Sequence, residues 1–327
     1  MISNHITDLV GNTPLIKLKK ASEITGCNIL GKAEFLNPGQ SIKDRAALKI
    51  IQSIDKKNNN SNTLVEGTGG NTGIGLTILG NSLGFKSVIV LPENQSKEKI
   101  NMLKYLGAEV IITEQVPYEN PKNYIKLSKR IAQERNAIWT NQFDNLNNRE
   151  AHVQTTAQEI WKQTNGKIDA FICAVGTGGT LAGNYIGLKE KNKKILIYCA
   201  DPYGSGMYSW IKKGTPKATL NSITEGIGQS RITGNLKDVM PDGAVKVHDQ
   251  LALNIIYDLI KNEGLYLGPT SGINIAGAIK LAKYLGPNKT IVTVLCDYAN
   301  RYTSKIFNSS FLAARRLTYP VWLESHD

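Results

Sequence analysis

Cysteine and histidine are scarce in this 327-residue chain, at four of each, and neither type clusters. Cys27, Cys173, Cys199 and Cys296 form no C-x-x-C pair. That excludes a thioredoxin-like motif and a disulfide framework, and leaves reduced, mostly buried thiols in a reducing compartment. His5, His152, His248 and His326 do not stand at ligand spacing, so no metal site is expected. Long hydrophobic runs are missing too. "FICAV" and "TIVTVLC" fall far short of the roughly 20 residues that cross a bilayer, and the polar start "MISNHITD" has no signal-peptide pattern. The expected setting is cytoplasmic, with no membrane partner. Acidic residues are outnumbered, giving a net charge of +12. The lysines and arginines nevertheless form no cluster interleaved with aromatics, so no nucleic-acid partner is expected. Many sit in "DKKNNNSN" and "LKEKNKKIL", which read as solvated surface, and a mild attraction for small anions is the inference that remains.

What is present is a strand-helix alternation. Apolar, β-rich runs such as "TLVE", "SVIVLP", "AEVIIT", "IDAFICAV", "KILIYCAD" and "TIVTVLCD" alternate with helical patterns such as "SKEKINMLKYLG" and "TSGINIAGAIKLAKYLG". Strands without polar alternation imply parallel sheets covered on both faces. The units outnumber what one sheet holds comfortably, so the chain reads as two doubly wound α/β domains with mostly parallel sheets. We expect an N-terminal domain over 1–145, of which roughly 10–36 crosses to the other, and a C-terminal domain over 146–327. From about Phe307 the periodicity is lost, and the tail is left to wrap the surface or a partner subunit.

In open α/β folds ligands bind at the carboxyl ends of strands, where helix N-termini present free N–H groups. Four such junctions carry unusual residues. In "NPGQSIKDR", Pro38 and Gly39 make a turn, Ser41 is a candidate N-cap and Lys43 falls in the first helical turn, where acids are favoured. A lysine there is either an ordinary surface residue or an imine-forming amine. In "AVGTGGTLAG", Gly176, Gly178 and Gly179 let N–H groups converge, and Thr177 and Thr180 add hydroxyls, as in a phosphate nest. Leu181 stands where a dinucleotide fingerprint requires glycine, which favours a single phosphate, although Asp201 at the end of the next strand keeps a dinucleotide open.

The third junction is "EGTGGNTG". Gly67, Gly69 and Gly70 permit positive φ and close backbone approach, while Thr68, Asn71 and Thr72 offer hydroxyl, amide and N–H groups suited to a carboxylate. A glycine-rich turn that merely packs a helix onto its sheet is the alternative. In the fourth, "GPTSGIN", Thr270 and Ser271 precede another helix, with Ser271 a candidate N-cap.

Taken in order, "LVGNTPLIKL", "NPGQSIKDR", "EGTGGNTGIGL", "LPENQSKEKINMLKYLGAEV", "NQFDN", "VGTGGTLAG", "TEGIG", "GPTSGIN" and "TIVTVLCD" resemble the cysteine synthase and cystathionine β-synthase family. These are fold type II enzymes dependent on pyridoxal 5′-phosphate, with a fold like that of the tryptophan synthase β subunit. The resemblance implies that Lys43 forms the covalent imine with the cofactor and that Gly176, Thr177, Gly178, Gly179 and Thr180 bind its phosphate. It assigns Asn71 to the cofactor 3′-oxygen and Thr270 to the pyridine nitrogen. Thr68, Gly69, Asn71, Thr72 and Gln142 are implied to hold the substrate carboxylate. A homodimer is expected on the same ground.

The implied chemistry is β-replacement or β-elimination through an α-aminoacrylate. The leading expectation is a cysteine synthase making L-cysteine from O-acetyl-L-serine and sulfide. The alternatives are an L-cysteine desulfhydrase releasing hydrogen sulfide, pyruvate and ammonia, and cystathionine β-synthase activity. The chain departs from the family pattern in three places. Gly69 stands where serine is common, "QSRIT" (residues 229–233) where phenylalanine and proline are common, and "VPYENPKNY" (residues 116–124) is longer than the usual connection. These departures bear on substrate choice and access rather than on the cofactor.

Overall fold

The computed structural model describes residues 2–55, 60–219 and 222–324. Residues 56–59 of the lysine- and asparagine-rich stretch read above as solvated surface, and His326, lie outside the described residues. Among the described residues ten strands alternate with helices. They are β1 (Leu15–Lys17), β2 (Asn28–Ala33), β3 (Thr63–Gly67), β4 (Lys86–Pro92), β5 (Glu109–Thr113), β6 (Ile138–Trp139), β7 (Ala170–Cys173), β8 (Leu196–Pro202), β9 (Gly243–Val247) and β10 (Thr290–Leu295).

Two sheets result. One runs β5-β4-β3-β6 and is parallel throughout. The other runs β1-β2-β10-β7-β8-β9, parallel except where β1 meets β2. Helices cover both faces, so side chains on either side of a strand need an apolar setting. Every residue of β4 after Lys86 is buried. On β7, Ala170 and Ile172 join one core and Phe171 and Cys173 the other. The fold is therefore two α/β layers with mostly parallel sheets. The chain enters the six-stranded sheet with β1 and β2, leaves to build the four-stranded one, and returns at β7.

Two features bring the site's loops together. Leu146–Ala151 and Ala157–Gln163 are α-helical, but His152–Thr156 between them is a π-turn, which re-aims the side chains there. Helix Gly179–Lys191 lies close against this segment. A Cβ on Gly183 would stand 2.6 Å from the Arg149 carbonyl oxygen, and one on Gly187 would stand 2.6 Å from the Ala157 Cβ, so neither position has room for a side chain. At the far end of the chain, Tyr302, Ile306 and Leu312 pack with Leu253, Ile256 and Tyr257 of helix Asp249–Glu263. Among the described residues the stretch after Phe307 keeps two short helices, Ser309–Ala313, whose N-cap Asn308 accepts from Phe311 N–H at 2.8 Å, and Val321–Glu324.

Candidate active site

The carboxyl ends of β3, β7, β8 and β10 converge on a cavity of about 730 Å³. Lys43, Thr68, Gly69, Asn71, Thr72, Gln142, Gly176, Thr177, Gly178, Thr180 and Thr270 all line it. Gly179 is the one proposed site residue off the wall. It opens helix Gly179–Lys191, where any side chain would collide with Asn148.

Lys43 begins helix Lys43–Gln52, and Ser41 Oγ accepts its N–H at 3.3 Å. Ile42, not Ser41, occupies the formal N-cap, with Ser41 serving from one position further out. This turn is tied to the other sheet. Ile42 N–H donates to the Cys296 carbonyl at 3.1 Å, and Ser41 bridges to Asp297 just past β10.

The 176–180 loop is built to expose backbone donors. Gly178 has φ +85°, the left-handed region that favours glycine, and a side chain on Gly176 would collide with the Gly226 carbonyl of the "TEGIG" turn. Among the described residues the N–H groups of Gly176, Thr177, Gly178 and Thr180 have no acceptor. Thr177 Oγ1 accepts from Asn148 Nδ2 at 2.8 Å, and its carbonyl accepts from Thr233 Oγ1 at 2.7 Å. Thr180 Oγ1 lies 3.3 Å from His152 Nε2, whose ring is also bonded to Thr156 Oγ1 at 2.9 Å. Burial, and then the nearby Arg45 charge, push the His152 pKa down to about 3, so the imidazole is neutral and the backbone N–H groups are left as the loop's anion donors.

The 68–72 loop likewise presents unpaired N–H groups at Gly69, Asn71 and Thr72 among the described residues. Positive φ falls on Gly70 alone, at +120°; Gly67 and Gly69 lie outside that region. Gly67 is required for another reason, since a Cβ there would stand 2.7 Å from the Tyr124 carbonyl oxygen. Thr72 Oγ1 donates to Gln142 Oε1 at 2.5 Å, and Gln142 Nε2 donates to the Gly67 carbonyl at 3.1 Å. Beneath them Glu66 is fully buried, accepting from Gln142 N–H at 3.1 Å and from Thr140 Oγ1. Burial pushes its carboxyl up to about 7.

Several residues that hold this site carry no signal in the sequence. Asn71 Nδ2 donates to Asp297, while Asn71 Oδ1 accepts from Arg301 at 2.7 Å. Arg301 also donates to the Gly39 carbonyl, linking the loop of Lys43 to the loop of Asn71. Lys99, fully buried, donates to Glu225 at 2.7 Å and to the Gly69 carbonyl at 3.3 Å. Glu225 also pairs with Lys305 at 2.5 Å. Thr270 stands inside the first turn of helix Pro269–Leu285, and among the described residues its hydroxyl has no protein partner. Ser271 is not the N-cap. The helix starts earlier, after Gly268, and the Ser271 hydroxyl accepts from Cys296 N–H at 2.9 Å.

A primary amine, a cradle of free N–H groups at a helix N-terminus and an unpaired hydroxyl therefore face one cavity, a donor set that fits pyridoxal phosphate. Among the described residues no group of three or more His, Cys, Asp or Glu gathers to hold a metal ion, and no helix is long and apolar enough to cross a membrane.

The family described as pyridoxal-phosphate dependent enzyme matches residues 6–297. Cysteine synthase 1 of Neurospora crassa is 48% identical over 324 residues, spanning 97% of this chain and 86% of that protein. Among solved structures, the O-acetylserine-dependent cystathionine β-synthase of Helicobacter pylori superposes with a TM-score of 0.84 at 32% identity, covering 93% of this chain and 98% of that one. A hydrogen sulfide-producing enzyme of Fusobacterium nucleatum follows with a TM-score of 0.81 at 32% identity, covering 92% and 98%. Their fold, the match along nearly the whole chain and the cavity's donor set agree: the chain belongs to the family of pyridoxal-phosphate-dependent enzymes, with the two α/β layers of fold type II, and pyridoxal phosphate is its cofactor.

Proposed function

We propose that the protein is a cysteine synthase, a transferase that replaces the acetate of O-acetyl-L-serine with sulfide to give L-cysteine. The observation that carries this reading is the gathering of Lys43, the 68–72 loop, the 176–180 loop and Thr270 on one cavity, in a chain 48% identical to a cysteine synthase. In this reading Lys43 holds the cofactor covalently, and the free N–H groups of the 176–180 loop take its phosphate. Asn71 serves its 3′-oxygen, and Thr270 faces its ring nitrogen. When bound, pyridoxal phosphate supplies an electron sink for bonds to the substrate Cα.

The remaining work falls to this chain. Thr68, Gly69, Asn71, Thr72 and Gln142 orient the substrate carboxylate through N–H, hydroxyl and amide groups. The released Lys43 amine is the base for the Cα proton. Thr270, a neutral hydroxyl, leaves the ring nitrogen without a carboxylate partner, which favours prompt departure of the Cβ substituent. The buried Glu66–Gln142–Thr72 chain holds the carboxylate loop in register.

A second reading, a lyase releasing sulfide from L-cysteine, is favoured by Gly69 where the family commonly has serine, and by the likeness to a hydrogen sulfide-producing enzyme. Cystathionine synthesis is a third, supported by the likeness to the Helicobacter enzyme. We place the division between the two domains near residue 145, and the enzyme in the cytoplasm as a homodimer acting on small molecules. The experiment supplies purified protein with O-acetylserine and sulfide, and separately with L-cysteine, and measures cysteine formed against sulfide and pyruvate released. Faster synthesis supports the synthase and faster release the lyase. Turnover of neither sinks both.

A further inference from the structure

Two of the departures from the family pattern, "VPYENPKNY" and "QSRIT", are more than a hundred residues apart in the chain, yet they meet on the lining of the cavity, with the half-buried Tyr118 on its solvent side. The Arg231 guanidinium sits 4.4 Å over the Tyr118 ring and 5.8 Å from the Phe143 ring. Its two terminal nitrogens donate to the carboxylate of Asp144 at 3.0 and 2.9 Å. Asp144 is held in turn by Gly234 N–H at 2.7 Å. On Tyr118's side, Lys126 Nζ stands 5.1 Å from the ring and donates to the Glu119 carbonyl at 2.8 Å, while Asn123 Nδ2 donates to the Val116 carbonyl at 2.9 Å. Tyr118, Phe143 and Arg231 all line the cavity that holds Lys43 and Gln142.

A bidentate pair plus ring stacking fixes a guanidinium far more firmly than an exposed arginine would be fixed. Swinging Arg231 aside would break two charge-assisted bonds and leave Asp144 without its cation. Asp144 is also only two residues from Gln142, so the clamp is anchored to the loop that serves the substrate carboxylate. We propose that Arg231, clamped by Asp144 and stacked on Tyr118, is a specificity-determining residue: a fixed wall at the cavity mouth that admits a small second substrate, of the size of hydrosulfide, and excludes thiols carrying an extended carbon chain. This rests on the β-replacement reading for its choice of substrates, but the wall itself can be tested without turnover.

The test uses the full-length holoenzyme as wild type, Tyr118→Ala and Arg231→Ala. The first readout is the rate at which hydroxylamine, and separately the bulky O-benzylhydroxylamine, bleaches the visible absorbance of bound pyridoxal phosphate. The ratio of bulky to small reagent is expected to rise about tenfold in both variants, and threefold is the threshold. The second readout is the ratio of kcat/KM for homocysteine to that for sulfide with O-acetylserine, expected to rise likewise. Bleaching ratios that stay within threefold of wild type in folded variants overturn the wall. Tyr118→Ala decides alone should Arg231→Ala fail to fold, since Tyr118 is partly exposed in a surface connection. Raised bleaching ratios in an enzyme that turns over neither nucleophile support the wall and sink the cysteine synthase reading instead.

Discussion

Asn71 donates its side-chain amide to the carboxylate of Asp297 at 2.5 Å, across 226 residues of sequence. Asn71 opens the helix after β3, and Asp297 follows the end of β10, so the bond joins the two sheets across the cavity. It also fixes which way the Asn71 carboxamide faces, with Arg301 holding the opposite end. Asp297→Ala should free the carboxamide and leave the Tyr302 hydroxyl without its acceptor. Loss of a buried, charged acceptor costs about 1–3 kcal/mol. The expected outcome is a rise of roughly 5- to 150-fold in the dissociation constant for pyridoxal phosphate, read by titrating apoprotein with cofactor. An unchanged constant would separate Asn71 from the cofactor.

Lys43→Ala should remove the covalent attachment point and the base at once. Alanine is the best helix former, and the first turn of helix Lys43–Gln52 tolerates it, so the fold should persist. The visible absorbance of bound cofactor should vanish, and turnover should fall by at least about 100-fold. Circular dichroism and the absorbance spectrum check the two halves together. Turnover near wild type with a normal spectrum would take Lys43 out of the reaction.

Glu66 gives a pH signature. Burial raises its carboxyl to about 7 in the folded protein, above the ordinary 4.5. Between those values the folded state binds more protons than the unfolded one. The protonated carboxyl therefore contributes stability at low pH that is lost as pH rises through about 7. Asp44, buried and raised to about 7, works in the same direction, so the signature lies in a difference between proteins. Glu66→Gln keeps an acceptor for Gln142 N–H and Thr140 while removing the titration. From pH 6 to pH 8.5 wild type should lose on the order of 1–2 kcal/mol more than the variant, or roughly 2–4 °C in Tm. Parallel melting curves across that range would mean Glu66 does not titrate there.

What the sequence made legible was local. Glycine-rich turns, N-terminal helical lysines and apolar strands are written within a few residues, and three of the four motifs read that way follow a strand; "GPTSGIN" instead follows helix Asp249–Glu263 and a short loop, so its expected strand junction is not there. Ser271 was misread although the signal was adjacent: Pro269 favours the first position of a helix, which moves the cap back to Gly268. Lys99, Glu225, Asp297 and Arg301 were not legible at all. Their burial depends on partners brought from other elements, and a charged residue in a helix or turn normally reads as surface. The pairing of β2 with β10 has the same character, since nothing in either run names its distant neighbour.

Gly69 is where sequence and structure together make the sharpest prediction. The family commonly has serine at this position, and the expectation that the loop's glycines need positive φ left open whether a side chain could be tolerated. Positive φ belongs to Gly70. A Cβ on Gly69 would meet only the end of the flexible Gln95 side chain, Oε1 at 3.2 Å, and Gly226 Cα at 3.5 Å. Gly69→Ser therefore fits with a small shift of Gln95. Its hydroxyl adds one charge-assisted hydrogen bond to a bound carboxylate, worth roughly 1.5–3 kcal/mol, or about 10- to 150-fold in affinity. The contact from Lys99 to the Gly69 carbonyl involves backbone and survives the change. Titrating wild type and variant with O-acetylserine and with L-cysteine, and following the cofactor spectrum, should show the variant saturating at lower concentrations of both. The same titrations report sulfide consumed and sulfide released, so a wild type poised for release is recognised directly. Weaker binding of both amino acids by the serine variant would remove Gly69 from the carboxylate site and return the loop to a packing role.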